Sequence, residues 1–241
     1  MKVVGGRTNY GESVGILMLD TVFPRIPGDI GNASTLPFPV RYRVVKGASL
    51  ARVVKQCDPT LIQPFVDGAR ELEREGVKAI TTSCGFLAAF HPQITSSVSI
   101  PVFTSSLLQV HMARAVIRAD QKVGIITARA QSLTEKHFEG VGIQNIPMIV
   151  VGMDDSPEFS CTFIEGKADF DPDKAAEEMS AVARNLVQQH PEVGAVVLEC
   201  TNMPPFGHCV QKVTGLPVFD VVTMVKYAYS VVARQRFRGV M

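Results

Sequence analysis

The chain has 241 residues, of which 46% are hydrophobic and 20% are charged, and its formal net charge is +1. This length allows one large domain or two small ones, and the composition excludes a disordered chain. A net charge so close to zero gives no support to nucleic acid or an anionic membrane as the main partner.

Apolar runs and cysteines indicate the compartment. No apolar run reaches the roughly 18–20 residues of a membrane span, and the first 20 residues lack the apolar core of a signal peptide. The cysteines are odd in number, widely spaced and without a CxxC motif: Cys57, Cys84, Cys161, Cys200 and Cys209. This pattern favours free thiols in a reducing compartment, so we predict a cytoplasmic protein.

In chain order, the first half alternates predicted strands and helices. Short apolar runs predict strands at 14–19, 40–45, 77–82 and 100–104. A short helix is predicted after Ser49, a longer one over 59–75, and a third just past Cys84. Segment 20–39 is rich in Pro and Gly and too long for an ordinary connection, which is typical of a lid or binding loop.

The second half continues this alternation. Segment 105–120 is predicted to bridge two lobes. Strands are then predicted at 123–127, 147–152, 195–199 and 217–220, and helices at 131–139, 172–190 and 221–236. Segment 153–170 is a second long stretch without a regular pattern, and we predict a functional loop there.

The two halves repeat the same landmarks in the same order. The repeated features are the motif at 14–17 and 123–126, Asp-Pro at 58–59 and 171–172, a cysteine at 84 and 200, and the motif at 100–103 and 216–219. We therefore predict an α/β protein of two pseudo-symmetric lobes, each a parallel sheet flanked by helices. The first lobe would comprise 1–105 plus 220–241 and the second 106–219, with the active site in the cleft between them.

Cys84 and Cys200 each follow an apolar run, where a strand should end and a helix begin. Ligands of open parallel sheets bind at the carboxyl ends of the strands, and a helix N-terminus stabilises a thiolate. The pseudo-symmetry places the two thiols on opposite sides of one cleft. One thiolate would remove a proton from carbon, and the opposite thiol would return one.

Small residues beside the two cysteines suit a carboxylate ligand. Gly85 allows close backbone approach, and Ser83, Thr201 and Asn202 supply short polar groups. Arg25, in the long loop, is a candidate partner for a second carboxylate, although a solvated position is the simpler reading. A cysteine at a strand end can also be merely a small buried apolar residue. No regular cluster of ligands predicts a metal site.

The motifs TTSCG (81–85) and ECTN (199–202), with VGILMLD (14–20) and VGIITARAQS (123–132), resemble those of the aspartate/glutamate/hydantoin racemase superfamily. That group includes maleate isomerases and arylmalonate decarboxylases. The resemblance covers nearly the whole chain. It implies a two-lobed fold, no cofactor, and an acid/base pair formed by Cys84 and Cys200. It further implies that substrate touches four more residues: Asp20, Thr21, Thr127 and Arg129.

Two departures from the racemase pattern bear on the substrate. Gly85-Phe86 stand where amino-acid racemases usually carry Asn-Thr, and Asn202 stands where they usually carry His or Glu. The favoured expectation is a racemase or epimerase acting beside a carboxylate, on an amino acid or a hydantoin-like compound. A decarboxylase or cis-trans isomerase of a small dicarboxylate, and a non-catalytic anion-binding protein, stay open. A homo-oligomer is a reasonable default.

Overall fold

The computed structural model describes residues 4–237 and 239–240 and shows two four-stranded parallel sheets, one per half of the chain. The strands are β1 (Val14–Met18), β2 (Val40–Val44), β3 (Ala79–Thr82), β4 (Val102–Phe103), β5 (Lys122–Thr127), β6 (Met148–Gly152), β7 (Val193–Leu198) and β8 (Val218–Phe219). The first sheet has the order β2-β1-β3-β4 and the second the order β6-β5-β7-β8. The predicted two-lobed α/β architecture is confirmed.

The helices flank these sheets. They are α1 (Ile62–Glu75), α2 (His91–Thr95), α3 (Val110–Ala115), α4 (Glu135–Gly140), α5 (Pro157–Phe163), α6 (Pro172–Gln189), α7 (Gly207–Thr214) and α8 (Val221–Val232). A π-helical turn covers Ala51–Lys55, and a 3₁₀ helix covers Gly85–Phe90 directly after Cys84. Among the described residues, no helix combines the length and apolar character needed to cross a membrane.

The repeated motifs fold in the same way in both lobes. Gly15 in β1 faces the side chain of Leu72, and Gly124 in β5 faces that of Leu186; a Cβ on either glycine would lie 2.9 Å from a leucine methyl. Asp58 and Asp171 each cap the helical segment that follows, accepting hydrogen bonds from backbone N–H groups. The duplication seen in the sequence is therefore a duplication of packing.

The last helix returns to the first lobe. In α8, Val221, Met224 and Val225 pack with Val14 and Ile16 of β1 in an apolar cluster of their own. The larger core is continuous and contains residues of both lobes. The boundaries of the two lobes, 1–105 plus 220–241 and 106–219, remain a prediction.

Several elements differ from the sequence-based expectation. Segment 153–170 contains a helix, α5, which the prediction of an irregular loop missed because it spans only two turns. The helix predicted over 131–139 is a 3₁₀ turn followed by α4, displaced toward the C-terminus. Segment 105–120, predicted only as a bridge between the lobes, holds a 3₁₀ turn and the short α3. Element boundaries depend on tertiary contacts that periodicity does not contain.

Segment 20–39 folds as a compact loop that reaches the second lobe. Inside the loop, the Thr35 hydroxyl donates to the carbonyl of Asp29, and the Asn32 amide donates to the carbonyl of Arg25. Gly28 has φ +102°, and a Cβ there would lie 2.9 Å from Cα of Pro205, so the loop backbone lies against the second lobe. The loop therefore covers the cleft between the lobes.

Candidate active site

The two predicted thiols line the same cavity between the lobes. Cys84 follows β3 at its carboxyl end, and Cys200 follows the equivalent strand β7. Both are buried, with 7% and 9% of their surface exposed, and both line one cleft. The two lobes also contact each other directly beside the thiols: the Thr201 hydroxyl donates to the carbonyl of Ser83 over 2.6 Å.

Most of the other predicted site residues share this cleft, and three do not. The cleft is lined by Thr21, Arg25, Ser83, Gly85, Thr201 and Asn202. Asp20 is exposed to solvent. Thr127 is buried behind the cleft, and Arg129 lines a neighbouring pocket with Asp154. The structure thus gathers the residues next to the cysteines but not all those implied by the family resemblance.

The cleft is closed. Its free volume is about 10 Å³, room for about one water molecule. Loop 20–39 closes one side through Phe23 and Arg25, and the end of α5 closes another through Phe163 and Ile164. A ligand larger than water therefore enters only when one of these two segments moves.

Loop 20–39 also reaches Cys200 through a chain of hydrogen bonds. The Arg25 guanidinium forms a 2.7 Å ion pair with Asp29, and the Asn202 amide nitrogen donates to Asp29 over 2.6 Å. This bond fixes the orientation of the amide, so the Asn202 oxygen faces Cys200 and accepts from its thiol at 3.4 Å. Asp29 was not predicted, because a lone Asp in a Gly- and Pro-rich loop carries no sequence signal.

Cys84 has different surroundings. The backbone N–H groups of Phe86 and Leu87 and the positive charge of Arg25 all favour its thiolate. The N–H of Asn202 favours the thiolate of Cys200, but the negative charges of Glu199 and Asp29 disfavour its ionisation. The two thiols are therefore unequal: these neighbouring groups favour a thiolate at Cys84 more than at Cys200.

Burial nevertheless raises the pKa of both thiols above the ordinary value, and the charge of Glu199 raises it further. This corrects the expectation that the helix N-termini would populate a thiolate at neutral pH. The favourable N–H groups are present, but desolvation in the closed cleft outweighs them. Closure of the cleft therefore disfavours ionisation of both thiols.

Glu199 is a buried carboxyl between the two thiol-bearing segments. One carboxyl oxygen accepts from the Thr127 hydroxyl over 2.8 Å, and the other has no hydrogen-bond partner in the described part of the chain. Burial raises its pKa to about 7. In the sequence, Glu199 is only the first residue of the ECTN motif, and its desolvation is not readable there.

The close approach of Glu199 requires glycine at position 85. A Cβ at position 85 would lie 2.2 Å from the Glu199 side-chain oxygen and 2.3 Å from its backbone oxygen. We expect Gly85→Ala to lower the free energy of unfolding by about 1–3 kcal/mol, the usual effect of overpacking. Urea unfolding measures this. Gly5→Ala is the control, because its Cβ meets only the Tyr10 hydroxyl at 3.9 Å. Equal losses in both variants would contradict the close approach.

Metal-type side chains do not cluster in the part of the chain that the structure describes. Across residues 4–237 and 239–240, no group of three or more His, Cys, Asp or Glu side chains is placed to hold an ion. Cys57, Cys161 and Cys209 lie outside the cleft lining. The polar groups that the cleft presents are two thiols, one arginine and small polar side chains.

Comparison with known proteins gives a family and several relatives. A sequence model described as Asp/Glu/hydantoin racemase matches residues 49–225. A dimethylsulfoniopropionate lyase of Durusdinium sp. clade D is 31% identical over 217 residues, which cover 87% of this chain and 71% of that protein. Dimethylsulfoniopropionate lyase 3 of Emiliania huxleyi (strain CCMP1516) is 30% identical over 221 residues, 88% of this chain and 57% of the algal protein.

Solved structures share the fold at low sequence identity. Unliganded arylmalonate decarboxylase has a TM-score of 0.60 and 14% identity, covering 93% of this chain and 94% of that one. Picrophilus torridus aspartate racemase has a TM-score of 0.60 and 16% identity, covering 95% and 96% of the two chains. Likeness at this identity supports the two-lobed architecture and carries no argument about the reaction.

Proposed function

The chain belongs to the Asp/Glu/hydantoin racemase family, and from that premise we propose that it is a lyase of dimethylsulfoniopropionate rather than a racemase. The observation that carries this proposal is the 31% and 30% identity to proteins named for that activity, over most of this chain. This chain spans only 57% of the length of the second of them, so the activity of the longer protein is transferred here as a proposal.

The reaction is an elimination. A base removes a proton from the carbon beside the carboxylate, the new carbon–carbon double bond forms, and the bond to the sulfonium sulfur breaks. The electron pair of that bond leaves with dimethyl sulfide, and the other product is acrylate. One proton is released, and neither oxidant nor reductant is needed. The first step is the same as in racemisation: loss of the proton next to a carboxylate.

We assign the base to Cys84. The surroundings of Cys84 favour a thiolate more than those of Cys200 do. The Cys200 thiol instead donates a hydrogen bond to the side-chain oxygen of Asn202. The sulfonium group brings a positive charge into the cleft, and an opposite charge within about 4–6 Å lowers the pKa of a thiol. Substrate binding thus adds a second positive charge beside that of Arg25, and couples ionisation of the base to the presence of the substrate.

The substrate carboxylate would lie with Arg25 and the polar groups beside the cysteines. Arg25 is the charged side chain among the described residues lining the cleft, and the Ser83 hydroxyl retains a hydrogen to donate while it accepts from the N–H of Leu19. The remaining cleft residues from the sequence prediction also line this cavity: Thr21, Gly85, Thr201 and Asn202.

A second candidate is the two-base reaction expected from the sequence. The inequality of the two thiols supports it, because one base and one acid on a shared cavity is the arrangement for removing and returning a proton. Racemisation or decarboxylation of a small carboxylate would use Cys200 as the donor. An anion-binding protein would use neither thiol.

Incubation with dimethylsulfoniopropionate is expected to release dimethyl sulfide and acrylate in equal amounts, because the elimination forms one of each. Gas chromatography and ¹H NMR measure the two products. The same NMR assay in heavy water, with aspartate, glutamate, a hydantoin and a substituted malonate, tests the second candidate through deuterium at the carbon beside the carboxylate. Deuterium in one of these compounds, with dimethylsulfoniopropionate left intact, would replace the lyase by a racemase or decarboxylase.

A further inference from the structure

Three phenylalanines form much of the apolar lining of the closed cleft. Phe23, Phe86 and Phe163 all line it, and each is at least nine-tenths buried. Phe23 comes from loop 20–39, Phe86 follows Cys84, and Phe163 ends α5. The rings of Phe23 and Phe163 pack edge to face, with centroids 5.1 Å apart. We refer to these three residues as the aromatic wall.

The aromatic wall already contacts one cation. The Arg25 guanidinium carbon lies 4.7 Å from the centroid of the Phe23 ring, within the range of a cation–π interaction. One ring of the aromatic wall thus already takes part in a cation–π contact inside the cleft.

The lining of the cleft offers neutral hydrogen-bond acceptors. The Asn202 oxygen accepts from Cys200, and the Thr21 hydroxyl oxygen accepts from Arg25. The Ser83 hydroxyl oxygen accepts from Leu19 N–H, and its carbonyl accepts from Thr201. No carboxylate is among the described residues that line the cavity. A primary ammonium group, which donates three hydrogen bonds and pairs best with a carboxylate, would find no such partner among these residues.

An alkylated onium group has no such need. A dimethylsulfonium or trimethylammonium carries its charge under methyl groups, which an apolar wall accommodates and ring faces attract. We propose that the aromatic wall is a site for a small onium group, so that the cleft binds onium carboxylates and excludes amino acids. This proposal rests on the proposed function for the position of the carboxylate at Arg25, but it extends to onium compounds that the enzyme cannot cleave.

Binding of unreactive ligands tests the proposal without any lyase activity. The probes are 3-(trimethylammonio)propionate, its isostere 4,4-dimethylpentanoate, which keeps the carboxylate but has a neutral quaternary carbon in place of the ammonium nitrogen, and the primary amine β-alanine. Isothermal titration calorimetry on the wild-type protein measures each affinity. We expect the trimethylammonio compound to bind at least about 3-fold more tightly than the isostere, and β-alanine to bind most weakly. Equal or tighter binding of the isostere, or no binding of the trimethylammonio compound, would overturn the onium site.

Substitution of the wall separates charge recognition from packing. Phe163→Leu is expected to weaken binding of the trimethylammonio compound by about 3- to 30-fold and to weaken binding of 4,4-dimethylpentanoate by less. Phe170→Leu is the matched control, because Phe170 packs edge to face on Phe163 with centroids 5.0 Å apart but does not line the cleft. Equal weakening of both ligands in Phe163→Leu would reduce the wall to an apolar surface and refute the proposal.

The two proposals fail in distinguishable ways. If the trimethylammonio compound binds selectively and dimethylsulfoniopropionate is not cleaved, the lyase proposal is wrong and the onium site stands. If dimethylsulfoniopropionate is cleaved but the isostere binds as well as the trimethylammonio compound, the lyase stands and the aromatic wall is not its onium site.

Discussion

Replacing Cys84 by alanine is expected to lower kcat/KM for dimethylsulfoniopropionate cleavage by about 10²- to 10⁴-fold, the usual contribution of a positioned general base. We expect the variant to fold, because alanine removes one sulfur atom and leaves a small apolar side chain at this buried position. It removes the atom that the N–H groups of Phe86 and Leu87 and the charge of Arg25 favour as an anion. Continuous detection of acrylate measures the loss.

The comparison with Cys200→Ala decides between one base and two. In an elimination the departing dimethyl sulfide takes no proton, so Cys200→Ala should retain at least about ten times the activity of Cys84→Ala. Cys209→Ala is the control, because Cys209 lies in α7 outside the cleft lining. Equal losses in both cleft variants would favour the two-base reading, and a larger loss in Cys200→Ala would reverse the assigned roles.

Glu199→Gln is expected to make stability less dependent on pH. Burial raises the pKa of the wild-type carboxyl to about 7 from an ordinary value of 4.5. The folded protein therefore holds this proton more tightly than the unfolded chain does. The stabilisation is fully present below pH 4.5 and is lost as the pH rises through about 7. The loss amounts to about 3 kcal/mol in the free energy of unfolding.

Glutamine stays uncharged and escapes that loss. The stability of Glu199→Gln relative to wild type should thus rise by about 3 kcal/mol between acidic and mildly alkaline pH, as measured by urea unfolding across the range. Glu177→Gln, at an exposed position of α6, makes the same exchange in solvent and serves as control. A pH-independent difference between Glu199→Gln and wild type would show that this carboxyl has the same pKa in the folded and unfolded protein. Because the Glu199 charge raises the pKa of both thiols, the variant should also reach full activity at lower pH.

The sequence by itself determined the architecture and the pairing of two cysteines at one cleft. The duplicated motifs predicted two lobes because each repeat encodes the same strand, glycine contact and helix cap, as Gly15 and Gly124 show. The position of Cys84 and Cys200 at equivalent strand ends followed from the same repeat. Parallel sheets bring equivalent strand ends to equivalent places, so local pattern was sufficient.

The tertiary structure decided the electrostatics of the site and its other members. Asp29 reaches Asn202 from a loop of the opposite lobe, and Phe163 enters the cleft from a helix that periodicity missed. Thr127 and Arg129, which the family resemblance implied as substrate contacts, lie behind and beside the cleft. The pKa of Glu199 and of both thiols depends on desolvation, which is a property of the closed fold. Burial and contacts between distant segments depend on how the lobes close on each other. No local run of residues encodes how closely the two lobes approach.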